Sequence, residues 1–245
     1  QFIGRDYFRN IKSIFNTYIF RQKDDNKLFE KDGAIYKIDY PLNENNILKS
    51  ANKINNICNN YLKNSNIYYA IIPDKNYYLI GEDVSYLSLD YNKLVTEITE
   101  KTGYMKYIDI FGELSIDSYY KADSHWRQEA LLPVAEKIAG EMGVELKAEY
   151  EKLYCDLPVK GVYAGQYAIN VGSDELCCLT NDFTDRAKVT DYQNQKEISV
   201  YDISKGSYNL LFGSVELQHI IWQTRLAGIR GCDCFKLRHT VGFDV

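Results

Sequence analysis

The sequence predicts an α/β domain built on a mostly parallel sheet. Three observations carry that reading. The run at 66–72, Asn-Ile-Tyr-Tyr-Ala-Ile-Ile, is nearly continuously apolar and stops at Pro73-Asp74, as a strand buried on both faces does. Amphipathic helical stretches alternate with short strand-like ones, the rhythm of a sheet with crossover helices. The chain has 245 residues, 45% apolar and 26% charged, enough for one large soluble core.

The elements follow in order. Residues 2–20 place Phe2, Tyr7, Ile11, Ile14, Phe15, Tyr18 and Ile19 at three- and four-residue spacing, which predicts a helix. Residues 29–40 alternate weakly around Asp32-Gly33, a hairpin turn signal. Residues 44–62 form an amphipathic pattern with Asn43 placed to cap it. Strand 66–72 follows, then a helix at 91–102 ending at Gly103, then a short strand at 107–111. A helix is predicted at 126–142, capped by Asp123 or Ser124 and closed by Gly143. Pro133 inside it predicts a kink or a later true start. Beyond residue 145 the pattern loosens. Residues 162–169 and 198–201 read as strands, with Gly161 and Gly165 as bend or close-approach positions, and 206–212 reads as helix or loop.

The last segment differs. No tyrosine follows Tyr208 and no asparagine follows Asn209, although the chain holds 22 tyrosines. Three of the eight arginines (Arg225, Arg230, Arg238) fall in the final 21 residues. Such a change in residue usage within one chain points to a frameshifted or otherwise altered C-terminus, or to a natural variable tail. The expected division is a domain at 1–213 and an atypical, frameshifted or disordered tail at 214–245.

Composition limits the function. A net charge of −5, with no basic stripe, argues against nucleic acid as a partner. The sequence holds no run of 18 apolar residues of the kind that spans a bilayer. The chain begins with Gln1, so it reads as a piece of a longer protein, and a signal or anchor segment before it is compatible with that reading. The tyrosines suit polar ligands such as sugars, or half-buried strand positions with wet hydroxyls. Six cysteines form no disulfide framework, and Cys177-Cys178 is expected in or beside a strand. Cys232-x-Cys234 lacks a second Cys/His pair at zinc spacing, so no metal is expected.

The chemistry concentrates in Tyr119-Tyr120-Lys121-Ala122-Asp123-Ser124-His125-Trp126. A carboxylate two residues before a histidine can fix the imidazole tautomer and stabilise its charged form, as a general base requires. The bland reading of the same residues is a helix cap, with Asp123 accepting backbone N–H groups and His125 packing on Trp126. Asp74 reads as a turn residue at a strand end or as a substrate-facing carboxylate. His219 and His239, in the tail, read as incidental.

With Phe2-Ile3-Gly4-Arg5-Asp6, Ile72-Pro73-Asp74-Lys75 and the 119–126 segment in view, and more weakly Gly161–Gln166, Val200–Asp202 and Ser207–Asn209, the chain resembles the DHHW proteins of Gram-positive bacteria. These are similar to alginate O-acetylation proteins with an SGNH-hydrolase-like domain. Ser124 stands where the family name carries its first histidine. The resemblance implies a three-layer α/β/α, flavodoxin-like domain, here incomplete at its C-terminus. It implies an extracytoplasmic O-acyl esterase or acetyltransferase on a cell-surface or secreted glycan, with no cofactor. In it His125 is the general base, Asp123 orients it, and Trp126, Tyr119 and Tyr120 line the substrate site. The family's serine nucleophile comes later, in an Asp-Ser-Phe/Tyr turn. Here the nearest text is Cys232-Asp233-Cys234-Phe235, which makes Cys234 the candidate nucleophile and leaves the chain as written expected to be inactive. Location at or outside the cell surface, and membrane association through an N-terminal segment, belong to the same expectation. The alternative is a non-catalytic glycan-binding or scaffold protein that kept the fold.

Overall fold

The alternation of residues 66–72 sets the architecture. In the computed structural model, which describes residues 5–22, 24–79, 87–147, 149–159, 161–167, 170–186, 188–191, 196–199 and 232–234, strand β3 (Asn66–Tyr69) is the middle of a three-stranded sheet. Ile67, Tyr69 and Ile71 enter one core, with Ile47 and Cys58 of helix α2 (Glu44–Tyr61) and Tyr91, Leu94 and Ile98 of helix α4 (Tyr91–Lys101). Tyr68, Ala70 and Ile72 pack against a second core, with Val134, Ala135 and Ile138 of helix α5 (Leu132–Glu141). A period of two thus feeds two opposite apolar faces. β3 pairs in parallel with β4 (Lys106–Tyr107) and with β9 (Cys232–Cys234).

Several local signals behave as the sequence predicts. Helix α1 (Arg5–Ile14) continues as a π-helical turn over Phe15–Ile19. It seats by its polar face, with Ser13 Oγ donating to Asp25 at 3.1 Å and Thr17 sharing a hydrogen bond with Tyr167. Strands β1 (Leu28–Lys31) and β2 (Ala34–Lys37) form the hairpin, and its two turn residues Asp32 and Gly33 both have positive φ, at 51° and 76°. Asn43 caps α2 by accepting from the Asn46 N–H at 3.1 Å. Asp90 caps α4 in the same way, accepting from Lys93 N–H at 2.9 Å.

Four expectations need correction. The helix predicted from 126 begins only at Leu132, with Pro133 in its first turn, where its missing N–H costs nothing. Residues 123–127 are therefore loop, and Asp123 does not cap that helix. The strand predicted at 107–111 is confined to Lys106–Tyr107, and Phe111–Glu113 turns into a short 3₁₀ helix. A one-turn helix, α3 (Asn76–Leu79), follows Pro73-Asp74 without having been predicted. Residues read as a strand at 162–169 include helix α6 (Val162–Tyr167), whose Tyr163 and Tyr167 are buried against Leu28, Ile35 and Ala122.

The mostly parallel sheet holds only for the central three strands. Strands β5 (Glu151–Val159) and β6 (Asp174–Thr180), with α6 between them in the chain, form a separate antiparallel pair that carries Cys177 and Cys178. Helix α7 (Asp182–Arg186) follows, then β7 (Lys188–Asp191) and β8 (Lys196–Ser199), antiparallel partners of one another. Part of the predicted strand at 198–201, the segment 206–212, His219, His239 and most of 214–245 lie outside the described residues. Among the described residues, no helix is long and apolar enough to cross a membrane.

Candidate active site

Residues 119–126 form a small hairpin whose tip carries the chemistry. Tyr119 and Trp126 face each other across an antiparallel bridge. Tyr120 N–H donates to the His125 carbonyl at 3.1 Å, and Arg127 N–H donates to the Ser118 carbonyl at 2.7 Å. Beneath the tip, Tyr119 (4% exposed) and Trp126 (3%) sit in the α5-side core, and Tyr120 is 1% exposed. The Tyr119 hydroxyl donates to the Pro73 carbonyl at 2.6 Å, which ties the hairpin to the end of β3. The structure places these three aromatic side chains under the loop, in packing positions rather than as an open platform.

At the tip the structure brings Asp123 and His125 together. Asp123 Oδ1 meets His125 Nδ1 in a short contact and also accepts the His125 backbone N–H at 3.0 Å. Asp123 Oδ2 accepts the Val162 N–H at 2.8 Å, the first turn of α6. Burial pushes the Asp123 carboxyl up, but the His125 ring, the Val162 N–H, the charge of protonated His125 and the His125 N–H more than reverse this. The net position is below the ordinary carboxylate range. Asp123 is thus held as an anion, with its side chain 4% exposed, while the His125 side chain is 21% exposed and reaches the surface. A buried carboxylate against one imidazole nitrogen fixes the ring and its tautomer, as the partner of a general base does.

Gly161 lets α6 approach this loop. A Cβ there would overlap the Ala122 carbonyl and come within 2.6 Å of Asp123 Cβ. The close approach that the sequence assigned to Gly161 is real, and it brings Tyr163 N–H to the Ala122 carbonyl at 3.0 Å.

Two charged groups around the loop were not singled out from the sequence. Lys75, only 3% exposed, lies just beyond Pro73-Asp74. Its Nζ donates to the Tyr120 carbonyl at 3.0 Å and the Lys121 carbonyl at 2.9 Å, and lies 5.0 Å from the Tyr36 ring centre and 5.4 Å from that of Tyr163. Asp174, at the start of β6, accepts from Lys121 N–H at 2.8 Å and Ala122 N–H at 3.4 Å, and from Arg127 Nη2 at 2.9 Å. Arg127 in turn lies 5.2 Å from the Tyr120 ring centre. Only the Pro-Asp-Lys ending of the strand hinted at Lys75. Asp174 is some fifty residues away in sequence and gave no signal.

Burial pushes the Lys75 ammonium from an ordinary 10.5 down to about 7, against the opposing pull of Asp123, Asp174 and Asp74. Between those two values the unfolded chain binds one proton more than the folded one. Lys75 therefore contributes more to folding stability as pH rises from about 7 toward 10.5. Denaturant titrations of the wild type and Lys75→Met at pH 6.5 and pH 9 check this. The stability of wild type relative to Lys75→Met is expected to be greater at pH 9, and an equal or smaller difference there would contradict the buried position.

Other expected site residues fall as follows. Asp74 accepts from Asn76 N–H at 2.7 Å, which is its turn role. Ser124 is exposed at the loop tip. Cys234 belongs to β9 at the register of Tyr68, five positions before Pro73 on the neighbouring strand. Among the described residues there is no group of three or more His, Cys, Asp or Glu side chains placed to hold a metal ion.

Comparison with known proteins gives the fold a context. No family model matches the chain, and no curated protein matches it. Solved structures do. PatB1 of Bacillus cereus, solved with a sulfonyl adduct, matches with a TM-score of 0.54 and 19% identity, over 70% of this chain and 62% of that one. A DHHW family protein from Eubacterium siraeum matches with a TM-score of 0.55 and 14% identity, over 78% of this chain and 63% of that one. The O-acetyltransferase domain of Pseudomonas putida AlgJ matches with a TM-score of 0.52 and 10% identity, over 85% of this chain and 88% of that one. The chain spans less than two thirds of the PatB1 and Eubacterium chains. At these identities the likeness establishes a shared fold, and the resemblance read from the motif at 119–126 points to the same proteins.

Proposed function

We propose that this chain carries the acid–base half of an SGNH-like O-acyl esterase or acetyltransferase acting on an extracytoplasmic, cell-surface or secreted glycan. The single observation that carries the reading is the buried Asp123 carboxylate in contact with His125 Nδ1, at the tip of a loop pinned from several sides. A three-layer α/β/α domain is part of the proposal. Its support is the alternation of β3 between the core of α2 and α4 and the core of α5.

The chemistry follows from the geometry. An oxygen nucleophile attacks the acetyl carbonyl. His125 Nε2 takes the proton as the new bond forms and returns it to the leaving oxygen when the tetrahedral adduct collapses. Asp123 stays ionised throughout, fixes the Nδ1–H tautomer and stabilises the imidazolium. The acyl group ends on a sugar hydroxyl or on water. These steps require proton transfer and nucleophilic attack only, so no metal or organic cofactor enters them.

In this reading the family's Asp-Ser-Phe/Tyr turn is missing or degraded in the sequence, and Cys234 is the weak candidate in its place. Loss of a triad nucleophile costs on the order of 10⁶ in rate, while a general base alone supplies about 10²–10⁴. The chain as written is then confined to slow, base-assisted hydrolysis. The test is acetate release from p-nitrophenyl acetate and from an O-acetylated glycan, alongside glycan-array binding. Release above the buffer rate that depends on His125 supports the proposal. Array binding together with release that is unchanged in His125→Ala favours the non-catalytic glycan-binding reading and overturns the proposal.

A further inference from the structure

We infer that Lys75 and Asp174 form a two-sided clamp on the backbone of the Asp123–His125 loop, and that both are positioning residues for the general base. The inference rests on the acid–base reading of that pair. The peptide joining Tyr120 to Lys121 offers its carbonyl to Lys75 Nζ at 3.0 Å and its N–H to Asp174 Oδ2 at 2.8 Å. The next peptide, joining Lys121 to Ala122, does the same: its carbonyl meets Lys75 at 2.9 Å and its N–H meets Asp174 at 3.4 Å. Two successive peptide dipoles are thus held between the N–H donors of Lys75 and the carboxylate of Asp174. The third peptide's carbonyl is held by Tyr163 N–H, and the residue that follows is Asp123.

Each end of the clamp is itself anchored. Lys75 follows the end of β3 and sits beside the rings of Tyr36 and Tyr163, which come from β2 and α6. Asp174 lies at the start of β6, its side chain 1% exposed, and is paired with Arg127. The clamp therefore ties the loop to the central sheet on one side and to the antiparallel β5–β6 pair on the other. An ammonium has three N–H donors and a neutral amine two, so Lys75 can serve both carbonyls in either protonation state.

Stability alone gives a weak reason for this arrangement. Burying a lysine and an aspartate away from water is costly, and packed apolar side chains often do as well or better. What the pair supplies is direction. The Asp123 carboxylate must meet His125 Nδ1 within a few tenths of an ångström, and a misplacement of about 1 Å far from the reacting atoms can cost about 100-fold in rate.

The test compares wild type, Lys75→Met and Asp174→Asn in three readouts: native-state amide exchange, the His125 Nδ1 proton resonance, and kcat and KM for p-nitrophenyl acetate. In Lys75→Met the Lys121 and Ala122 amides, which Lys75 does not touch, are expected to exchange at least about tenfold faster, while the amides of α4 do not change. The His125 Nδ1 proton is expected to shift or broaden. The kcat is expected to fall about 10–100-fold with KM within about twofold, the pattern of a group that acts only through the transition state. Should Lys75→Met fail to fold, Asp174→Asn decides on the same readouts. A folded variant with unchanged exchange at 121 and 122 and an unchanged His125 resonance overturns the inference. If wild type itself does not turn over the ester, as a chain without its nucleophile would not, exchange and the His125 resonance decide the clamp; turnover that is unchanged in His125→Ala defeats the enzymatic reading instead.

Discussion

Replacing His125 by alanine is expected to lower p-nitrophenyl acetate hydrolysis by about 10²–10⁴-fold, the range that general-base action supplies. The expectation comes from position. His125 is the imidazole held by Asp123, and its side chain reaches the surface while that of Asp123 does not. The substitution removes the base and leaves Asp123 with two backbone donors, the N–H groups of Val162 and residue 125, so the loop keeps most of its anchors. Loss of turnover with an unchanged thermal midpoint is therefore the predicted pair of results. If a nucleophile elsewhere in the chain works through His125, the loss grows toward about 10⁶ and the wild type shows an acyl-enzyme burst. Full retention of turnover would remove His125 from the chemistry.

The second large effect is on the fold. Gly161→Ala puts a methyl group into the Ala122 carbonyl and within 2.6 Å of Asp123 Cβ. Both obstacles belong to or adjoin backbone, so no flexible side chain can swing away. Either α6 retreats or the Asp123 loop moves. In both cases the Val162-to-Asp123 and Tyr163-to-Ala122 hydrogen bonds are strained. Overpacking of this kind costs about 1–3 kcal/mol, and each weakened bond adds about 0.5–1.5 kcal/mol. For a domain this size the midpoint is expected to drop by roughly 10 °C. Gly165→Ala is the control. It lies in the same helix, a Cβ there meets nothing within 4 Å, and alanine favours helix over glycine by about 1 kcal/mol. Thermal melts of the two variants check the contrast. Equal, small shifts in both would show that α6 does not press on the loop.

The legible parts of the fold are those written in local patterns. Asn43 before an amphipathic run, Asp32-Gly33 between alternating residues, and the apolar stretch ended by Pro73 each act through neighbours a few residues away. Asp123 and His125 were legible for the same reason, being two residues apart. What escaped was non-local. Residues 162–167 contain Val and Tyr and read as strand, but the Asp123 carboxylate satisfies the first N–H of α6 and the helix buries both tyrosines. Tyr119, Tyr120 and Trp126 were placed at the substrate site through the family resemblance alone, and the structure buries their rings beneath the hairpin. Asp174 meets its partners across some fifty residues, and no spacing rule reaches that far. The segment read as an atypical tail supplies β9, a backbone partner for β3 that its residue usage did not suggest.

The central claim is that Asp123 fixes His125 as a base by holding its Nδ1. Long-range ¹H–¹⁵N correlation spectra of the imidazole, in wild type and Asp123→Asn at neutral pH, test it most directly. The account predicts that wild-type His125 carries its proton on Nδ1, with a downfield Nδ1–H resonance that is lost in Asp123→Asn. A wild-type His125 protonated on Nε2, or spectra unchanged by Asp123→Asn, would contradict it.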